Sequence, residues 1–346
     1  MEFSQQITQR TVWTSTRATA STTNGDSRSL VPCARRRKEG QLTDLAYEIE
    51  HLVKIYPRQT EPATDDVSLD IRTGEVFGIL GDNGAGKTTL VRQMVNLLRS
   101  TSGEIRLFGR PIAQNPLHVS RSVAFMPQSS SALNRLKVGE AIYFAAHLRG
   151  MTRRDARLER DAMIETWQLG QVRDKSSSRL SGGQQRLLQL ALAMAGRLPV
   201  AVLDEPTNDL DPVNRKHVWE VLKKFNTEYG TTILFITHDA IEAERIVHRV
   251  GIMRQGRFLV TGQPAQLKRG LLDHMRLEVW LAPGEPPAFP PDIPQHWKSD
   301  DNVVLSVPRD RAPALLSELR LHESVDYRLH SATLEDLYLH HATTAD

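Results

Sequence analysis

The sequence predicts an α/β fold on a mostly parallel sheet, followed by a small α+β unit. Three observations predict it. From residue 46 to about 270, short apolar runs alternate with longer stretches of helical periodicity. The runs EVFGIL, SVAFMP, VAVLDEP and TTILFITH are apolar on both faces, as strands covered on each side must be. The first of them leads into a glycine-rich turn, GDNGAGKTTL, at the strand end where ligand chemistry collects in such sheets.

Residues 1–45 are rich in Ser, Thr and Arg without apolar periodicity, and read as a disordered extension. Its ARRRK cluster has two readings, a contact for anionic lipid headgroups or a partner, and a solvated tail. Within 46–270, EVFGIL is followed by the helix TTLVRQMVNLL. Helical periodicity returns in VGEAIYFAAHLRGM, RRDARLERDAMIETWQL and PVNRKHVWEVLKKFNTEY. Residues 271–346 form the second unit, with strands MRLEVWL, NVVLSVP and VDYRLH and helices RAPALLSELRL and ATLEDLYLHH. The Pro-rich PGEPPAFPPDIP between them bars regular structure. With one loop of the GDNGAGKTT kind and no internal repeat, the chain holds one nucleotide-binding unit.

Composition bounds the function. At 346 residues and 40% apolar, the chain suits two folded domains. No stretch approaches 18 uncharged apolar residues, and one cysteine, Cys33, leaves no internal disulfide, so the expected compartment is the cytosol. Of 44 Lys/Arg and 41 Asp/Glu, residues 1–40 hold seven and three, leaving 37 and 38 for the rest. A folded part without basic excess is a poor nucleic-acid platform, so no nucleic acid is expected.

The turn Gly81-x-x-x-x-Gly86-Lys87-Thr88 has the spacing of a P-loop. Its backbone N–H groups (Gly81, Asn83, Gly84, Ala85, Gly86) and the helix N-terminus at Thr88 and Thr89 would cradle phosphates. Lys87 would reach the β- and γ-phosphates and the Thr88 hydroxyl a Mg²⁺ ion. Asp204 and Glu205 end an apolar strand at the same sheet edge. Asp204 suits the Mg²⁺ shell, and Glu205 could polarise an attacking water. Ser181-Gly182-Gly183-Gln184 opens another helix, with Ser181 as N-cap and open amides behind it. Two anion-binding helix starts on one nucleotide make sense if two copies meet head to tail.

These motifs come in the order GDNGAGKTT, Pro127-Gln128, LSGGQQR, VAVLDEP, Asn208-Asp209-Leu210-Asp211, Thr237-His238. In that order the chain resembles the ATP-binding cassette family of transporter ATPases over about residues 46–270. The resemblance implies a P-loop ATPase domain with a helical subdomain, binding ATP and Mg²⁺. It further implies a cassette dimer, or a pair with a second cassette, on the cytoplasmic face of a membrane beside a separate permease. It gives Gln128 a place in the metal shell, Glu205 the role of catalytic base and His238 that of γ-phosphate contact. Tyr56 resembles the aromatic that stacks on adenine; a plain strand tyrosine is the other reading. Asn208 stands where the family often has Ser, and Pro57 where it often has Gly. The ending SATLEDLYLHH resembles the closing helix of exporter-type members, while a capping box of Thr333 and Asp336 explains the same letters. Members acting in DNA repair or on the ribosome are the alternative, but they usually carry a long coiled coil or two cassettes, and neither is seen here.

Overall fold

The computed structural model describes residues 44–128, 135–239, 244–271, 273–281, 289–319 and 325–337. Of the extension expected over 1–45, residues 1–43, with Cys33 and the ARRRK cluster, lie outside them, as do His340 and His341, whereas Leu45 already opens a strand by pairing with Arg72.

Among the described residues three sheets carry the fold. The central one has six strands in the order β10-β9-β3-β8-β7-β6. β3 (Val76–Leu80), β6 (Val123–Met126), β7 (Val200–Asp204), β8 (Thr232–Thr237) and β9 (Arg249–Arg254) run parallel. β3, β7 and β8 are buried at every position, as their apolar runs require. β10 (Arg257–Gly262) closes one edge antiparallel to β9, through a turn in which Gln255 (φ 48°) and Gly256 (φ 80°) are both left-handed.

A second, antiparallel sheet has the order β2-β1-β4-β5, with β1 Leu45–Lys54, β2 Thr64–Arg72, β4 Ser102–Leu107 and β5 Arg110–Pro111. Helix α1 (Lys87–Met94) lies between it and the central sheet. Leu90, Val91 and Met94 share one core with Ile49, Leu52, Ile71, Phe77 and Ile79, and the Tyr47 hydroxyl donates to Met94 O at 3.2 Å. After α2 (Pro116–Ser122), the helices α3 (Val138–Leu148), α4 (Arg153–Thr166), α5 (Gly182–Met194) and α6 (Pro212–Tyr229) build the other core around Trp167. Their starts follow the sequence: Thr152 caps α4, Ser181 caps α5, and Asp211 caps α6 with Pro212 behind it and Gly230 (φ 64°) ending it.

The third sheet is β12-β13-β11-β14, all antiparallel, from β11 His274–Leu281, β12 Gln295–Ser299, β13 Asn302–Pro308 and β14 Val325–Ser331. A helix, Ala312–Leu319, covers one face over a core of Leu277, Val279, Val303, Leu305, Val307 and Leu315. The closing segment behaves differently. Leu334 and Leu337 belong to the core built on α3 to α6. Thr333 and Asp336 exchange the two capping hydrogen bonds, at 2.7 and 3.4 Å. Arg276 of β11, 2% exposed, pairs with Glu335 (2.8 Å) and Asp336 (2.6 Å). That charge cluster ties the last sheet to the segment that seals the larger core.

Candidate active site

The strand order explains why residues far apart in the chain meet. β3, β8, β7 and β6 are neighbours, and their carboxyl ends lead to Gly81, His238, Asp204-Glu205 and Gln128.

The P-loop is shaped by what surrounds it. Gly86, with φ 99°, is the N-cap of α1, and a Cβ there would stand 2.1 Å from Ala63 O. At Gly81 a Cβ would stand 2.1 Å from Met253 O. Only glycine fits either position. The β9–β10 turn buttresses the loop, with Gly256 N donating to Ala85 O at 2.9 Å. Asn83 and Gly84 form its exposed tip, whereas Ala85 is buried. The Lys87 ammonium, nearly buried, donates to Gly81 O (2.6 Å) and Asp82 O (2.7 Å). Burial pulls its pKa below the ordinary lysine value, opposed by the carboxylates of Glu205, Asp82 and Asp204.

The Thr88 hydroxyl donates to Asp204 Oδ2 at 3.2 Å, so the two predicted metal ligands are in contact. Burial pushes the Asp204 carboxyl above its ordinary value, with the Thr88 hydrogen bond acting the other way. Gln128, the third, points elsewhere: its Nε2 donates to Glu205 Oε2 at 2.9 Å. Glu205 is 9% exposed and sits at φ 50°, a backbone region that is strained for a glutamate. Its N–H donates to Ile236 O (3.0 Å), which pins that turn to β8. Asn208 Nδ2 donates to the same Oε2 at 2.5 Å, and His238 Nδ1 lies 3.3 Å from Oε1. Three side chains therefore fix the Glu205 carboxylate.

Tyr56 touches the loop's helix, its hydroxyl 3.3 Å from Thr89 Oγ1 and its ring 5.5 Å from the Lys54 ammonium. Ser181 and Gln184 complete a capping box, with Gln184 N donating to Ser181 Oγ (3.3 Å) and Ser181 N to Gln184 Oε1 (3.2 Å). Gly182 remains exposed at that helix start, and Gly183 half-buried.

Sequence reasoning did not anticipate two residues of this arrangement. One is Asn208, whose departure from Ser is noticed only as a departure. The other is Arg186, a charged residue on the apolar face of α5 beside Leu187 and Leu190. It donates to Gln128 O (3.1 Å) and Asn208 O (3.3 Å). Its signal is an arginine inside an otherwise apolar helical stripe.

The ABC transporter family model matches residues 64–208. The daunorubicin/doxorubicin resistance ATP-binding protein DrrA of Streptomyces peucetius is 34% identical over 226 residues, which are 65% of this chain and 68% of that protein. The chain belongs to the ABC transporter ATPase family. This cassette is also 37% identical over 220 residues to the human retinal-specific phospholipid-transporting ATPase ABCA4, and there the match spans 64% of this chain but 10% of that much longer protein. The Nod factor export ATP-binding protein I of Burkholderia thailandensis is 36% identical over 203 residues, 59% of this chain and 66% of that one. Among solved structures, cbiO1 from Clostridium perfringens, part of the ABC transporter complex cbiONQ, superposes with a TM-score of 0.59 at 28% identity. That match covers 65% of this chain and 91% of that one. The α/β fold with a mostly parallel sheet, expected from the sequence, is the one found.

Proposed function

We propose that the cassette binds and hydrolyses ATP and drives export through a separate membrane permease. The observation that carries this is the convergence of Lys87, the Thr88–Asp204 contact and the triply held Glu205 at the ends of neighbouring strands. The P-loop amides and Lys87 hold the phosphates, and Tyr56 stacks on the adenine. Glu205, its carboxylate fixed on both oxygens, accepts a proton from the water that attacks the γ-phosphate in line. His238 contacts that phosphate from the end of β8.

The donor set beside the loop, one hydroxyl and one carboxylate, fits Mg²⁺, which takes few protein oxygens and fills its shell with phosphate and water. Thr88 and Asp204 would hold it, while Gln128 stays with Glu205. Bound there, the ion supplies charge neutralisation on the phosphate oxygens.

Ser181 and the open amides of Gly182 and Gly183 cap the γ-phosphate of a second copy or a paired cassette, which makes each site composite. Among the described residues no helix is long and apolar enough to cross a membrane. In this reading a separate permease supplies the membrane path, with the cassette on its cytoplasmic face. Export is supported by the names of two relatives, for drug resistance and Nod factor export. The test of the composite site is the mass of the full-length Glu205→Gln protein on size-exclusion chromatography with light scattering. A dimer with ATP and Mg²⁺ and a monomer without them is expected; a monomer under both conditions contradicts it.

A further inference from the structure

We propose that Arg186 is a positioning residue for Glu205, acting through Gln128 and Asn208. Through them it makes the placement of the base follow that of helix α5. The inference rests on the reading of Glu205 as the base. Arg186 is 6% exposed, and a buried guanidinium ordinarily finds a carboxylate. Its hydrogen bonds among the described residues go instead to Gln189 Oε1 (3.2 Å) and to two main-chain carbonyls, Gln128 O and Asn208 O. Those two residues are the ones whose side-chain amides donate to Glu205 Oε2. One planar fork thus holds by the backbone the pair that holds the carboxylate by the side chain. A lysine ammonium keeps the charge but lacks that fork.

The geometry has a direction. Arg186 of α5 lies five residues beyond the N-cap Ser181, about 7.5 Å along the axis at 1.5 Å per residue. A displacement of α5 as Ser181 closes on the second copy's nucleotide carries Arg186 with it. Gln128 and Asn208 are then drawn along, and the Glu205 carboxylate is re-aimed. Asn208 extends this relay in a way the shorter Ser frequent in the family does not.

The test uses the full-length chain as wild type, Arg186→Lys, Asn208→Ala and the double variant, with Glu205→Gln as control. ATP turnover, KM for ATP, nucleotide-free melting and hydrogen exchange of amides 207–210 are measured. Arg186→Lys and Asn208→Ala should each lower kcat about tenfold with KM for ATP little changed, since sub-ångström misplacement of a catalytic group costs that much. The double variant should fall no further than the worse single one, because both break one relay. Amides 207–210 should exchange several-fold faster in Arg186→Lys. Unchanged kcat or unchanged exchange in Arg186→Lys, or a double loss equal to the product of the singles, overturns the relay. If Arg186→Lys melts early, Asn208→Ala decides through its half-exposed site, and unchanged kcat there overturns it. Full turnover by Glu205→Gln would instead remove the base assignment, and the exchange result would then judge the relay alone.

Discussion

Replacing Arg149 by Met should loosen the C-terminal end of α5. Arg149 follows α3, and its Nη1 donates to Leu192 O (2.7 Å), Ala193 O (2.8 Å) and Ala195 O at the end of α5. Those carbonyls lack intrahelical partners and lie at the negative end of the helix dipole. Methionine keeps an unbranched stem of similar reach but no donor. Two charge-assisted hydrogen bonds contribute about 3–6 kcal/mol together. Relief from burying the guanidinium, whose pKa burial pulls down to about 10, offsets about 3 kcal/mol of that. A net loss centred on about 1.5 kcal/mol remains, which for a domain of this size lowers Tm by about 3–6 °C. Differential scanning calorimetry of the nucleotide-free protein measures it. A Tm within about 1 °C of wild type, in a protein that folds, would refute the reasoning that this one side chain satisfies the end of α5.

Tyr56→Ala should raise KM for ATP by about 5- to 150-fold, the equivalent of 1–3 kcal/mol of lost stacking, with kcat little changed. Tyr56→Phe should stay near wild type, and an unchanged KM in the alanine variant would leave Tyr56 a plain strand residue. Asp211→Asn probes pH dependence. The Asn214 and Val213 amides (3.1 and 3.0 Å) and the Asn214 side chain hold the Asp211 carboxyl below its ordinary value of 3.8. Because the folded value is depressed, this cap's stabilisation is present above pH 3.8 and is lost as pH falls through the folded value. The Tm gap between Asp211→Asn and wild type, open at pH 7, should close in acid. A gap independent of pH would contradict it.

The motif residues were legible because their chemistry demands particular residue types. Glycines at 81 and 86 stand where a Cβ would strike a carbonyl, and an apolar strand ends in Asp204-Glu205. The strands β3, β7 and β8 were legible for the same reason, being buried on both faces. The antiparallel sheet of β1, β2, β4 and β5 was not. β2 alternates Val67, Leu69 and Ile71, buried, with Ser68, Asp70 and Arg72, exposed. That two-residue period belongs to a strand with one open face and is passed over when strands are sought as runs apolar on both faces. β12 has no buried position at all and is a strand only by pairing with β13. In the site, the amides of Gln128 and Asn208 carry no sequence signal for which carboxylate they meet. That depends on the neighbouring of β6 and β7, a long-range property of the sheet.

The central claim is that Glu205 is the base of an ATP-hydrolysing site built on this P-loop. Single-turnover and steady-state phosphate release by Glu205→Gln, beside equilibrium binding of ATP, test it most directly. The account predicts turnover lower by about 10²–10⁴, the usual contribution of a general base, with ATP affinity preserved. Wild-type phosphate release from Glu205→Gln would contradict it.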